Sequence, residues 1–338
     1  MIASSKKEPK RIVTPKEQEI DASWQENALR PKQLEEYIGQ ESIKKHLRVS
    51  IESAKIRNMP LEHVIFYGPP GLGKTTLANI IALEMWVSIK SSSGPAVEKQ
   101  SDIVSILSNL ENGDILFIDE IHRLKPQIEE ILYTAMEDFC VDIMVGTGTG
   151  AQSVKLPVKK FCLIGATTKL NSLSAPLRDR FGNILKLDFY DEKEISKILK
   201  KNASIMGVEL AEGPLNTLSI RARGTPRIAN RLLKIIRDYA TIWRDISSTK
   251  ELENIFFDIG IDELGLDYLD KKYLETLAHK FNNSPVGLNT IAAAIGEEEG
   301  TLEDVVEPYL LQIGFIERTP RGRKITHQGI SHLKRRGV

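Results

Sequence analysis

Apolar and polar positions follow two patterns along this chain. Between about residues 34 and 182, short continuous apolar runs alternate with segments in which apolar residues recur every three or four positions. The first pattern is typical of strands buried on both faces, and the second of amphipathic helices. Their alternation predicts an α/β fold with a parallel sheet. The predicted strands are 64–67, 115–118 and 161–165, with a weaker one near 87–90, and the clearest helix covers 128–139.

The remaining residues predict two further domains. After a strand-like segment at 184–190, Asp191 and Glu194 form a capping-box signal, and the pattern is helical from there to about residue 261. Three helical segments then precede a hairpin with a Pro-Arg-Gly turn, at 271–281, 288–295, 302–311 and 315–325. We therefore expect a large α/β domain at 1–190, a small all-α domain at 191–261 and a winged-helix domain at 262–338.

Charge is balanced overall but segregated along the chain. The 338 residues carry 46 basic and 46 acidic side chains. Residues 251–270 hold seven acids and no Lys or Arg, whereas residues 313–338 hold seven Lys or Arg and one acid. Such asymmetry indicates contact with nucleic acid or another anionic surface, and a solvated charged tail is the open alternative.

Cysteine usage and hydropathy restrict the compartment. Cys140 and Cys162 are the only cysteines and show no metal-binding spacing, which favours a reducing cytoplasm without structural zinc. No apolar run approaches the ~18 residues of a membrane span. The first 20 residues are polar, without the apolar region of a secretory signal, and are expected to be partly disordered.

One motif in the α/β part is highly specific. The apolar run 64–67 leads into Gly68-Pro-Pro-Gly71-Leu-Gly73-Lys74-Thr75-Thr76, and helical spacing follows. Strand, glycine-rich turn and helix are the context that a G-x-x-x-x-G-K-[ST] phosphate loop needs. The glycines let backbone N–H groups approach phosphate oxygens, Lys74 would reach the β- and γ-phosphates, and the Thr75 hydroxyl would bind Mg²⁺. The motif predicts a nucleoside triphosphate site.

Polar residues follow two of the other predicted strands. Asp119 and Glu120 end the apolar run 115–118, where Asp119 would hold Mg²⁺ through water and Glu120 would act as general base. Capping of the next helix is the alternative for both acids. Thr168 follows the run 161–165 and could hold the lytic water or sense the γ-phosphate, although threonine is also common at strand ends.

Arginines form a third group of candidates. Arg178 and Arg180 end the α/β part, and such an arginine could reach the phosphates of a neighbouring subunit; a surface ion pair with Asp179 is the alternative. Arg227 stands at the second position of a helix after Thr225 and Pro226, where a cation opposes the helix dipole unless an anion is near. In the predicted wing, Arg318, Arg321 and Arg323 would contact backbone phosphates of DNA.

Together these motifs resemble the bacterial RuvB family, the AAA+ motors of Holliday junction branch migration. The resemblance spans about residues 24–330. It rests on the phosphate loop and on the segments 29–32, 37–40, 118–124, 135–139, 166–168, 175–182, 223–231 and 318–323. By this similarity the chain is a large AAA+ ATPase domain, a small helical lid and a winged-helix DNA-binding domain.

The resemblance also implies site residues, cofactors and partners. Leu29, Arg30, Tyr37 and Ile38 would surround the adenine of ATP, and Arg180 would be an arginine finger acting in trans. Thr168 and Arg227 would be the first and second γ-phosphate sensors. Glu137, Asp138, Phe139 and Tyr190 would lie at the nucleotide or subunit interface. The family forms hexameric rings on duplex DNA, docks on RuvA through a hairpin that corresponds to 143–156, and has RuvC as a further candidate partner.

Three departures and two alternatives accompany the resemblance. Trp86 replaces a residue that is usually small, which bears on local packing. Residues 147–150 differ from the usual hairpin sequence, which bears on the contact with RuvA, and Lys169-Leu170-Asn171 replaces the Arg-Ala-Gly that usually follows the threonines. A clamp-loader subunit or replication initiator would also pair an AAA+ domain with a winged helix, but residues 174–178 lack the Ser-Arg-Cys motif of clamp loaders. A nucleotide-gated DNA-binding switch without hydrolysis is disfavoured by the presence of Asp119, Glu120 and Arg180.

Overall fold

A five-stranded parallel sheet organises the first part of the chain. The computed structural model describes residues 29–145, 152–243, 246 and 248–335. Its strand order is β2-β3-β6-β1-β7, so β1, which leads into the phosphate loop, lies between two strands that follow it much later in sequence. These strands are β1 (Val64–Tyr67), β2 (Ile89–Ser93), β3 (Ile115–Asp119), β6 (Cys162–Thr167) and β7 (Asn183–Lys186).

Among the described residues, five α-helices belong to the same unit as the sheet, which comprises residues 30–188. They are α1 (Glu41–Arg57), α2 (Lys74–Met85), α3 (Gln100–Ser108), α4 (Pro126–Asp138) and α5 (Ala175–Asp179). Apolar side chains of α3 and α4 pack with those of β3 and β6 in one buried cluster that includes Ile103, Leu132, Ile118 and Leu163. This core fixes the strand ends relative to one another. An antiparallel hairpin, β4 (Cys140–Val145) and β5 (Gln152–Pro157), also belongs to this unit.

His63 joins the sheet to the end of α4. Its Nδ1 accepts a hydrogen bond from the Leu163 N–H at 2.8 Å, and its Nε2 lies 3.4 Å from the Met136 carbonyl. Burial lowers the pKa of this imidazole from its ordinary value of 6.5. The neutral ring is therefore the form that suits this position.

The second compact unit contains Leu29 and the described residues from 189 onward. Among its described residues from 189 onward, the first four α-helices form the small helical domain, and a π-helix (Thr276–Lys280) extends the fifth. The α-helices are α6 (Glu192–Ile205), α7 (Glu212–Arg221), α8 (Pro226–Trp243), α9 (Thr249–Asp258), α10 (Tyr268–Glu275), α11 (Leu288–Ile295), α12 (Glu299–Thr301), α13 (Glu307–Gln312) and α14 (His327–Arg335). The hairpin β8 (Ile316–Thr319) and β9 (Gly322–Ile325) separates the last two and forms the wing.

Most predicted elements are confirmed, with three corrections. The capping box at Asp191 and Glu194 is present, with both reciprocal hydrogen bonds. The predicted strand 184–190 is wrong in extent, because β7 covers only Asn183–Lys186, and the weak strand near 87–90 is shifted to Ile89–Ser93. Helix α14 was not predicted. It is anchored by His332, whose Nε2 lies 3.1 Å from Asp262 Oδ2.

Trp86 needs no cavity in the core. It stands at the C-cap of α2 with φ 58°, and its side chain is 88% exposed. A bulky residue is therefore accommodated there without repacking of the core.

The acidic segment 251–270 is in part structural. Asp270 is fully buried, and Asp262 and Asp267 are almost so. Asp262 Oδ1 accepts the N–H groups of Leu264 and Leu266, and Asp267 caps α10. These carboxylates shape the connection into the winged-helix region, so the acidity of the sequence does not correspond to one solvated patch.

Arg223 joins the small helical domain to the winged-helix region. Arg223 has a left-handed backbone conformation (φ 54°), and its guanidinium is buried. The guanidinium pairs with Asp270 and donates from Nε to the Gly265 carbonyl at 2.9 Å. The Tyr309 ring lies 4.9 Å from the guanidinium carbon, and burial raises the pKa of Tyr309 to about 12. The phenol stays protonated and donates to the Leu264 carbonyl at 2.7 Å. A buried ion pair and a stacked ring thus hold this junction.

Candidate functional site

The phosphate loop lies at the carboxyl end of β1 and begins α2. Gly71 and Gly73 have φ of 82° and 98°, a region that glycine adopts without strain. Gly73 is the N-cap of α2 and has no side chain to occupy the first-turn N–H groups, so these remain available to an anion. Lys74, only 8% exposed, donates to the Gly68 and Pro69 carbonyls at 2.9 and 2.8 Å. The ammonium is therefore fixed over the loop.

Tyr37 packs directly on this loop. Its hydroxyl donates to the Leu72 carbonyl at 3.1 Å. A Cβ on Gly73 would lie 2.5 Å from the same hydroxyl, so glycine is required there for space as well as for backbone conformation. The sequence resemblance placed Tyr37 and the loop in one site, and the structure brings them together. Arg30 and Ile38 belong to the same unit, and both are partly buried.

Asp119 and Glu120 lie at the same sheet edge as the phosphate loop. Asp119 is the last residue of β3 and is paired in register with Ser93 of β2. Its Oδ1 accepts the Glu120 N–H at 2.9 Å. Glu120 adopts φ 47°, a costly backbone conformation for a non-glycine residue that is often found at functional sites. Its carboxylate accepts from Arg123 Nη1 at 3.0 Å.

Thr168 follows β6, the strand between β1 and β3. Tyr67 of β1 is in register with Thr167, so Thr168 stands beside the start of the phosphate loop. Because carboxyl ends of parallel strands meet at one edge, the sheet gathers Lys74, Asp119, Glu120 and Thr168 there, as the sequence predicted. Among the described residues no three His, Cys, Asp or Glu side chains form a metal cluster.

Arg180 is held by two residues of α4. It forms an ion pair with Glu137, and its guanidinium carbon lies 5.5 Å from the centre of the Tyr133 ring. The ion pair with Asp179 that was considered as the alternative is formed by Arg178, at 3.9 Å. Glu137 and Asp138 are exposed, whereas the Phe139 ring packs edge-on against Phe161.

Leu29, Tyr190 and Arg227 belong to the second unit. The Tyr190 N–H donates to the Gly224 carbonyl at 2.9 Å, and a Cβ on Gly224 would lie 2.6 Å from the Tyr190 carbonyl oxygen. Pro226 begins α8, as predicted, and Arg227 follows it. The structure thus brings Tyr190 against the turn that carries Arg227.

The wing arginines are organised by a carboxylate that sequence reasoning missed. Glu307 is fully buried and accepts from Arg318 Nε at 3.0 Å and from Arg323 Nε at 2.9 Å. Tyr273, whose pKa is raised by burial, donates its hydroxyl to the same carboxylate at 2.8 Å. Arg321 is exposed at the turn of the hairpin. Nothing in the spacing of Glu307 distinguishes it from a surface glutamate, so no sequence signal could have identified it.

The predicted RuvA-docking segment 143–156 corresponds to the β4–β5 hairpin. Ile143 pairs with Val154, and Val154 is 45% exposed. Residues 146–151, which include the altered 147–150, lie outside the described residues.

A phosphate loop after one strand of a parallel sheet, acids at the end of a second strand with one strand between the two, and a helical domain after the sheet define a P-loop ATPase of the AAA+ class. Family models locate this chain within that class. The P-loop domain of the Holliday junction DNA helicase RuvB matches residues 29–187, the RuvB AAA lid domain 190–259 and the RuvB C-terminal winged helix domain 263–334. The chain belongs to the RuvB family.

Individual relatives are similar over nearly the whole chain. The Holliday junction branch migration complex subunit RuvB of Dehalococcoides mccartyi is 54% identical over 327 residues, which cover 96% of this chain and 93% of that protein. The Thermotoga maritima RuvB Holliday junction branch migration motor has a TM-score of 0.83 at 48% identity, covering 90% of this chain and 98% of that one. A mutant of the same protein gives 0.84 at 48% identity, covering 91% and 98%.

Proposed function

We propose that this chain hydrolyses ATP to drive branch migration of Holliday junctions together with RuvA, in recombination and repair of DNA. The observation that carries the proposal is the joining, in one chain, of the phosphate-loop site with a winged helix and its arginine-bearing hairpin. RuvB family models match all three parts. A cytoplasmic location belongs to this proposal, as do the domain boundaries 1–190, 191–261 and 262–338.

ATP with Mg²⁺ fits the residues at the sheet edge. Gly71, Gly73 and the first turn of α2 would hold the phosphates, and Lys74 is already directed over the loop. Thr75 and Asp119 offer one hydroxyl and one carboxylate, which suits an ion that reaches the site with nucleotide phosphates and keeps several waters. When bound, Mg²⁺ would supply charge neutralisation at the phosphates.

Chain residues would carry out the remaining steps of hydrolysis. Glu120 would take a proton from the attacking water, and Thr168 would orient that water against the γ-phosphate. For this the Glu120 carboxylate must leave Arg123, to which it is bonded in the present conformation. Arg227 would sense the γ-phosphate. Thr76, Leu29, Arg30, Tyr37, Ile38 and Tyr190 complete the proposed nucleotide contacts.

Ring assembly would complete the site through Arg180. Tyr133 and Glu137 fix the Arg180 guanidinium at 38% exposure, which suits a group offered to another subunit's nucleotide. Glu137, Asp138 and Phe139 would lie at the same nucleotide or subunit interface. A homohexamer is the proposed assembly. RuvA would dock on the β4–β5 hairpin, and RuvC is a further proposed partner of the junction complex.

Mixing two inactive variants is expected to show whether Arg180 of one subunit acts with Glu120 of another. Neither Arg180→Ala nor Glu120→Gln homo-oligomers should hydrolyse ATP, but their mixture should regain part of the activity, since some interfaces combine an intact finger with an intact base. ATPase rates measured across mixing ratios check this result. Arg178→Ala is the matched control and should remain active alone. Absence of rescue at every ratio would contradict action in trans.

Arg321 is expected to contribute to DNA affinity without supporting the fold. Because Arg318 and Arg323 also neutralise buried Glu307, their removal would disturb the wing itself. Arg321→Ala should weaken duplex binding and lower the salt slope of log K by about 1, as for loss of one phosphate contact. Fluorescence anisotropy at several salt concentrations measures the slope, with exposed Lys250→Ala as control. An unchanged slope would assign the wing tip to another partner.

The whole proposal is tested with a synthetic four-way junction. The chain, ATP, Mg²⁺ and RuvA should convert it to duplex products, and Lys74→Ala should not. A clamp-loader or initiator would hydrolyse ATP but leave the junction intact. A nucleotide-gated binding switch would neither hydrolyse ATP nor convert the junction.

A further inference from the structure

A side-chain pair joins the turn after β3 to the residues that end β6. His122 Nδ1 lies 3.0 Å from Thr167 Oγ1, and the same hydroxyl accepts the Lys169 N–H at 2.9 Å. Thr167 is only 1% exposed. One buried hydroxyl therefore connects the turn that carries Glu120 to the backbone on both sides of Thr168.

Two glycines restrict the same turn from opposite strands. A Cβ on Gly94, just after β2, would lie 2.4 Å from the Glu120 carbonyl oxygen, and one on Gly165 of β6 would lie 3.1 Å from Ile121 Cδ1. The Arg123 N–H donates to the Glu120 carbonyl at 2.8 Å, which closes the turn. Because the turn fills space that only glycine leaves, the strained Glu120 backbone has little room to relax toward either strand.

We propose that His122 is a positioning residue for Glu120, and that the Thr167 hydroxyl is its anchor. Through this bond the general base and the γ-phosphate sensor Thr168 are held in one fixed relation. His122 touches no reacting atom in this assignment. The attacking water gives a proton to Glu120 while the water oxygen bonds to the γ-phosphorus. At the same time the bond between the γ-phosphorus and the oxygen that bridges it to the β-phosphate breaks. The inference rests on the proposed role of Glu120 as the base.

The bond is tested by paired variants assayed with RuvA and junction DNA. His122→Ala and Thr167→Val remove it and are expected to lower kcat for ATP hydrolysis by about 10- to 100-fold, since a displaced base loses rate steeply with distance. The Kd for ATP should stay within about twofold, because the phosphate contacts are untouched. His122→Asn and Thr167→Ser retain a hydrogen-bonding group at each position and should recover most of kcat.

Two further variants distinguish failure of this inference from failure of the base assignment. Glu120→Gln should bind ATP without hydrolysing it at a normal rate, and His122→Ala added to it should cause no more than about a further twofold loss of the residual single-turnover rate. Normal hydrolysis by Glu120→Gln would refute the base itself. An inactive Glu120→Gln beside a fully active His122→Ala would overturn only the positioning role.

A purely structural role would give a different pattern. The His122→Ala/Thr167→Val double variant should be no slower than either single one, so multiplied losses would count against a shared bond. Weakened ATP binding at unchanged kcat would also overturn the proposal. If His122→Ala does not fold, the contrast between Thr167→Ser and Thr167→Val, at a temperature where both are folded, decides the question: equal rates would refute it.

Discussion

Replacement of Lys74 by alanine is expected to weaken ATP binding by about 100-fold or more. The Lys74 ammonium is nearly buried and already held by the Gly68 and Pro69 carbonyls, so it meets the phosphates without a prior search for its conformation. Hydrogen bonds to charged groups contribute roughly 1.5–3 kcal/mol each. Loss of two such bonds between the ammonium and phosphate oxygens amounts to about 3 kcal/mol, or about two orders of magnitude in the Kd for ATP.

A fluorescent-nucleotide titration measures this change. Lys45→Ala, at an exposed position of the same unit, is the control and should bind as the unaltered chain does. Lys74→Arg keeps the positive charge but not the compact ammonium. Its affinity for ATP should therefore lie between that of Lys74→Ala and that of the unaltered chain. Normal affinity of Lys74→Ala would remove the basis for the phosphate-loop assignment.

Arg223→Ala is expected to destabilise the second unit by about 3–5 kcal/mol, because it leaves the fully buried Asp270 carboxylate without its counter-charge. The Gly265 carbonyl would lose its donor, and the Tyr309 ring would lose the stacked guanidinium. Arg223 also lies four residues before Arg227, so the damage would fall on the turn proposed to sense nucleotide.

Urea unfolding followed by circular dichroism measures the loss. Lys324→Ala breaks an exposed ion pair with Glu317 in the same unit and should cost no more than about 1 kcal/mol. Arg223→Met combined with Asp270→Leu should be more stable than Arg223→Ala, since no buried charge then remains unpaired. A small effect of Arg223→Ala, or no recovery in the double variant, would show that the pair does not hold the junction.

The phosphate loop and the sheet could be predicted because their signals are local. The strand 64–67, the glycines and the helix after them occupy one short segment, and the structure has β1 and α2 there. The capping box at Asp191 and Glu194 is read from residues three apart, and it too is confirmed. Element ends were less predictable: apolar residues at 187, 189 and 190 continue the pattern of β7, although the ladder ends at Lys186.

Sequence alone determined the class of fold, the nucleotide site and the family, because periodicity, turn chemistry and motif spacing act over a few residues. Tertiary structure decided which distant groups meet: Arg223 with Asp270, Glu307 with the wing arginines, and His122 with Thr167. Arg223 and Asp270 are 47 residues apart in sequence, and His122 and Thr167 are 45 apart. Glu307 precedes Arg318 by 11 residues and Arg323 by 16. Each pairing depends on how the chain packs, because burial, which no single residue encodes, makes an ordinary aspartate, glutamate or threonine the group that holds an arginine or a histidine in place.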